Sequence, residues 1–326
     1  MSVTGATPAP PADNRRWLVL LRRAWLLAFL LAAGLLAMRH GGGLLASVPV
    51  PALWQPGWLL MALLLQCLVW LALALGWRAV LRDGGGHAPR LDQVLVHQAV
   101  MAVGKYLPGK VWGLVARGGL LARQGVGTGQ GAVLAVVEQG LVFHSAALVA
   151  SLSAALVPTS MGWSPWWSPV LLAAALLLFV SARAVVSGVA LPLAALVRRI
   201  PGQGEREPWH GANLDRYRHW LLWYAAGWVC HGLVMVALYL TLHGGEGVDP
   251  GLLGLMLLAN TAAMVLGFLA FFAPAGIGIR DVTLVGLLAL LLPTPEAVTL
   301  SVAMRLWTTA TDLGLGLLAT GLHLRR

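Results

Sequence analysis

Residues 104–123, GKYLPGKVWGLVARGGLLAR, hold the densest chemistry in the chain: four cations, Lys105, Lys110, Arg117 and Arg123, in otherwise apolar sequence. Leu107-Pro108-Gly109 interrupts any helix here. Proline removes a backbone donor and disfavours helix in the residue before it, and glycine loosens the chain. The spacing predicts a helix ending near Tyr106, a turn at Pro108 and Gly109, and a new helix from about Lys110. Unsatisfied N–H groups at such a start, with Lys110 beside them, make a site for an anion such as phosphate. The competing reading is a basic cytoplasmic loop whose cations only fix topology.

A second stretch repeats the device half a chain later. FFAPAGIGIRD ends an apolar run, turns on Pro274, Gly276 and Gly278, and opens a helix on Arg280 and Asp281. Broken helices at corresponding positions of two halves point to the binding site of a transporter. Glu138, Asp281, Arg305 and Asp312 lie in or beside apolar runs, where a charge costs ~2.5–3.5 kcal/mol even on a lenient insertion scale. Such residues face the bundle interior and find partners. Arg305 and Asp312 share a helix face two turns apart, so both are expected to pair with groups on other helices. An internal latch is the structural alternative. His144 and His231, alone on apolar helices, read as polar contacts between packed helices.

The elements that position these residues follow from composition. The chain is 59% hydrophobic and only 10% charged, with mean hydropathy +0.79. That makes it an all-α polytopic membrane protein and not a soluble domain. A net charge of +10 would suggest nucleic acid in a soluble chain, but here the positions of the cations matter more, and no nucleic-acid partner is expected. Cys67 and Cys230 sit in apolar runs and read as small core residues. Residues 1–14 read as a disordered cytoplasmic tail and 15–326 as a single transmembrane domain. Apolar runs predict about eight spans, at 17–38, 57–80, 132–156, 169–186, 220–242, 252–272, 277–292 and 297–322. Residues 91–123 form an amphipathic or re-entrant piece, and 187–218 a polar cytoplasmic linker.

Arginine and lysine concentrate on one side of this scheme. The opposite loops hold Arg39 and the acids Glu246, Asp249 and Glu296. The asymmetry predicts a multi-pass protein of the cytoplasmic (inner) membrane with both termini, and both Pro-Gly turns, on the cytoplasmic side. No metal-ligand spacing, P-loop or nucleophile motif occurs, so no catalytic residue, metal or cofactor is expected.

The YLPGK-x-W…R segment, followed by P-x-G-x-G-x-R and an acid, resembles the lysylphosphatidylglycerol-synthase transmembrane-region family. That family includes the lipid-flippase half of the multiple peptide resistance factor and stand-alone membrane proteins. The resemblance covers nearly the whole chain. It departs at Ala275, where a second glycine is common, and at Asp281, where glutamate is common. The residues by themselves establish a charged intramembrane site. The resemblance implies translocation of a phosphate-bearing lipid or glycolipid, with the substrate held by Lys105, Pro108, Gly109, Lys110, Arg117, Glu138, Pro274, Gly276, Gly278, Arg280, Asp281, Arg305 and Asp312. An anionic phospholipid, an aminoacyl-phospholipid and a polyprenyl-phosphate-linked sugar all remain open as substrate, and so does self-association. The alternatives are a membrane-embedded subunit or scaffold for a lipid-modifying or glycosyl-transferring enzyme and, less readily, a lipid transferase. The linker at 187–218 is too short to fold a soluble catalytic domain.

Overall fold

The computed structural model describes residues 55–107, 111–157, 166–198, 216–245, 247–270 and 273–324, all within the compact unit Pro49–Arg326. The expected tail at 1–14, the first expected span at 17–38, and Pro108, Gly109 and Lys110 lie outside the described residues. Nine α-helices occur among those described: α1 Pro56–Gly85, α2 Leu91–Gly104, α3 Trp112–Arg123, α4 Thr128–Ala154, α5 Trp167–Arg198, α6 Tyr217–Leu242, α7 Pro250–Leu269, α8 Ile279–Leu288 and α9 Thr294–Leu324. Four of these, α1, α4, α6 and α7, are long and apolar enough to cross a membrane. The chain is therefore an all-helical polytopic membrane protein with broken helices. Helix α5 runs on through Pro192 to Arg198, into the start of the expected linker.

Local signals set the helix ends. Helix α1 opens with proline in its first turn and closes at Gly86, whose φ of 63° lets the His87 N–H turn back to the Leu81 carbonyl. Asp249 caps α7 by accepting from the Leu252 N–H at 2.8 Å, with Pro250 in the first turn.

Two helical hairpins organise the centre. In the first, α2 of 14 residues folds back as α3 of 12, about 21 and 18 Å against a hydrocarbon core of about 30 Å. In the second, α7 turns through a 3-10 segment, Pro274–Gly276, into α8. Each hairpin is pinched by a glycine pair. A Cβ on Gly104 would collide with the Gly113 backbone, and a Cβ on Gly276 would lie 2.7 Å from the Gly267 Cα. Both pairs are nine residues apart, so the two hairpins share a close backbone crossing.

The hairpins enter from opposite ends of the bundle. Asp92, at the start of α2, accepts from His323 at the far end of α9, at 3.3 Å. The end of α6, just before α7, meets the opposite end of α9 through His243 and Glu296 at 3.1 Å. The tips meet halfway along α9, where the Ala275 N–H donates to the Lys105 carbonyl at 2.8 Å. The packing is reciprocal: α2 lies on α9, α7 lies on α4, and α1 packs along α6. Helices α1–α4 and α6–α9 thus form an inverted repeat. Along α1 and α6, two apolar cores occupy opposite halves, one around Trp77, Leu81 and Trp220, the other around Ala62, Met235 and Met256.

Two sequence expectations are corrected. The span expected over 277–292 is instead the ten-residue α8, about 15 Å long and half of what a crossing needs. The Gly-rich turn consumes the residues that would have completed it. The sequence also places both turns on one side, whereas the described helices of the two hairpins approach from opposite ends of the bundle; cations already paired inside the bundle do not report on loop topology in the way exposed ones do.

Candidate functional site

The tips of the hairpins gather most of the charged residues singled out from sequence. Lys105, capping the end of α2, places Nζ 2.5 Å from Asp312 Oδ2 on α9. The Tyr106 hydroxyl donates to the same oxygen at 3.0 Å. Arg305 of α9 grips Asp281 of α8 with two parallel bonds, Nε to Oδ1 at 2.7 Å and Nη2 to Oδ2 at 2.9 Å. Asp281 also accepts from the Gly278 N–H at 3.1 Å, which fixes the start of α8.

The first half carries the counterpart with its polarity reversed. Arg117 of α3 donates to Glu138 of α4, so the short return helix supplies the cation here and the acid in the second half. Glu138 also accepts from the Tyr224 hydroxyl at 3.1 Å. The Arg117 guanidinium lies 4.5 Å from the centre of the Trp77 ring. Both partners are fully inside: Arg117 is 1% exposed and Glu138 3%. The pairs meet the demand that charges buried in a bundle be matched. Gln98 on α2 and Asn260 on α7 also correspond. Gln98 donates to the Leu73 carbonyl of α1, and Asn260 bonds His231 of α6 at 2.9 Å.

Arg280 is the exception. It sits in the first turn of α8, 6% exposed, against Gly267, and its Nη2 is buried without a hydrogen-bond partner. Asp281 beside it is committed to Arg305 and the Gly278 N–H. Asp281 and Arg280 are consecutive helical residues and so point about 100° apart.

These groups face a cavity of about 260 Å³ between the two halves. Its polar lining includes Lys105, Tyr106, Arg117, Glu138, Arg280, Arg305 and Asp312, and its apolar lining Trp70, Leu73, Val142, Phe143, Trp228 and Phe268. Both α3 and α8 begin at the meeting of the tips, so two helix N-termini, with their partial positive charge, open at this depth. Among the described residues no cluster of side chains is suited to hold a metal ion.

Of the residues expected from sequence, Lys105, Arg117, Glu138, Arg280, Arg305 and Asp312 converge on the cavity, and Asp281 stands behind Arg305. Gly276 and Gly278, with φ of 70° and 84°, shape the second turn and do not line the wall. Pro274 opens that turn. Arg305 and Asp312 do pair with other helices as their spacing implied. His144 bonds Tyr217 and the Leu178 carbonyl, linking three helices. Sequence reasoning missed Tyr106, Tyr224 and Gln98. A signal for Tyr224 was present: Tyr217, Tyr224 and His231 recur every seven residues along one face of the apolar α6.

No curated protein and no solved structure matches the chain. The family model of the lysylphosphatidylglycerol synthase TM region matches residues 16–316. With broken helices, paired intramembrane charges and a match over nearly its whole length, the chain belongs to the lysylphosphatidylglycerol synthase transmembrane-region family.

Proposed function

We propose that this protein translocates a phosphate-bearing lipid or glycolipid across the cytoplasmic membrane. The observation that carries the reading is the cavity at the meeting of two inverted hairpins, lined by charged side chains together with aromatic and aliphatic ones. A lipid headgroup crosses hydrocarbon slowly because its polar groups lose water without replacement. A mid-depth cavity with cations, tyrosine hydroxyls and two helix N-termini supplies substitute partners while the acyl chains stay in apolar surroundings. Inverted repeats supply the motion: rocking one hairpin-bearing half against the other exposes the same site to each side in turn. In this reading the substrate meets Lys105, Arg117, Arg280 and Arg305 directly, and Glu138, Asp281 and Asp312 hold three of those cations in place. The sequence's cation asymmetry orients the protein with both termini in the cytoplasm.

Reconstitution tests this. In proteoliposomes carrying a headgroup-labelled fluorescent phospholipid, a membrane-impermeant quencher should reach inner-leaflet label only when the protein is present. Arg305→Gln should slow that exchange. No exchange above empty vesicles, together with a stoichiometric partner enzyme in gentle purifications, would instead establish a scaffold for a lipid-modifying or glycosyl-transferring enzyme.

A further inference from the structure

We infer that the cavity selects a lipid whose head carries one net negative charge, a phosphodiester with an otherwise uncharged headgroup, and that Arg280 receives it. This rests on the transport reading above and goes beyond it by naming the charge of the substrate.

Among the described residues, four cations face the cavity: Lys105, Arg117, Arg280 and Arg305. Three carboxylates stand against them, and each is taken: Asp312 by Lys105, Glu138 by Arg117 and Asp281 by Arg305. Among these described groups one positive charge is left over, and it belongs to Arg280. Its burial, its unpartnered Nη2 and its place at the positive end of α8 all act in one direction. A buried charge without a counter-charge is unfavourable, and one monoanion would balance the described groups that face the cavity.

The same arrangement disfavours the other headgroups. An ammonium would need a carboxylate, yet those present already accept bonds from cations, from the hydroxyls of Tyr106 and Tyr224, or from the Gly278 N–H. It would have to displace a cation and then sit against a net positive wall. A phosphomonoester, at roughly −1.5 to −2 near neutral pH, exceeds the single charge left over. A phosphodiester matches it.

The full chain, purified in mild detergent, is titrated with short-chain phosphatidylglycerol, phosphatidic acid and lysyl-phosphatidylglycerol, following affinity and melting temperature. Phosphatidylglycerol should bind about tenfold tighter than either of the others, a difference of about 1.4 kcal/mol. Arg280→Gln should abolish that preference, while the lipid-free variant melts at or above the wild-type temperature because an unmatched charge has gone. Arg280→Lys should keep part of the preference. Equal or tighter binding of lysyl-phosphatidylglycerol or phosphatidic acid would overturn the assignment. So would an Arg280→Gln variant that melts lower but keeps the preference, since Arg280 would then be structural. Failure to bind any of the three would overturn the charge assignment, and together with no exchange in the proteoliposomes it would defeat the transport reading itself; binding in the wrong order would defeat only the charge assignment.

Discussion

Replacing Glu138 by glutamine tests how the first hairpin is held. The amide would keep the shape of the side chain and a partner for Tyr224, but would leave Arg117 at 1% exposure with no counter-charge. Removing one member of a buried pair costs about 3–5 kcal/mol, because the survivor remains buried and uncompensated. The Trp77 ring beneath the guanidinium is present before and after, so it offsets none of this difference. Arg117→Met combined with Glu138→Leu removes both charges and should return close to wild-type stability, or exceed it by about 1–4 kcal/mol. The assay is a double-mutant cycle of unfolding free energies, from denaturant titration in detergent micelles, with transport measured in parallel. Coupling of about 3 kcal/mol or more is expected, with transport lost in the double variant because this part of the polar lining has gone. A Glu138→Gln loss under about 1 kcal/mol, or a double variant as unstable as the single, would refute the claim that this pair is desolvated and matched.

Other outcomes follow from the same geometry. Gly276→Ala should sharply reduce the folded yield, since the new Cβ would press on the Gly267 backbone at a φ of 70°; Gly286→Ala, with open space around it, should not, as size-exclusion profiles would show. Ala275→Gly should preserve transport and stabilise the protein by up to about 1 kcal/mol in the same titration, because Ala275 is held at a φ of 50°. Asp312→Asn should release Lys105 and weaken lipid retention, measured by mass spectrometry of the purified protein. In a variant lacking Cys67 and Cys230, a cysteine at Gly247 should react with impermeant reagent on intact cells and one at His87 only after permeabilisation; the reverse would invert the proposed orientation.

The sequence made the hairpin tips legible because proline and glycine punctuate an apolar chain regardless of tertiary context. Charges in apolar runs likewise announced an interior site, since hydrocarbon leaves them nowhere else to go. Pairing was the part that did not show. Arg117 and Glu138 are 21 residues apart and Lys105 and Asp312 over two hundred, and nothing local links them until the inverted halves interlock. The length of α8 was hidden for a related reason. Its apolar residues continue past Leu288 into a turn, so hydropathy ran on where the helix did not. The approach of the two tips from opposite ends was obscured because counting cations by loop assigns buried and exposed arginines the same meaning.

The bond from the Ala275 amide to the Lys105 carbonyl joins the two halves through main chain alone. No side-chain exchange at either position deletes it, apart from proline at 275, which would remove the donor. This joint therefore places no demand of its own on the side chains at 105 and 275, whatever the Lys105–Asp312 pair and the positive φ of Ala275 require of them. Comparison of related sequences for correlated changes would find no trace of this contact, although it lies at the centre of the molecule. Any search for the joint that relies on paired substitutions would fix on the ion pairs around it and overlook the main-chain bond itself.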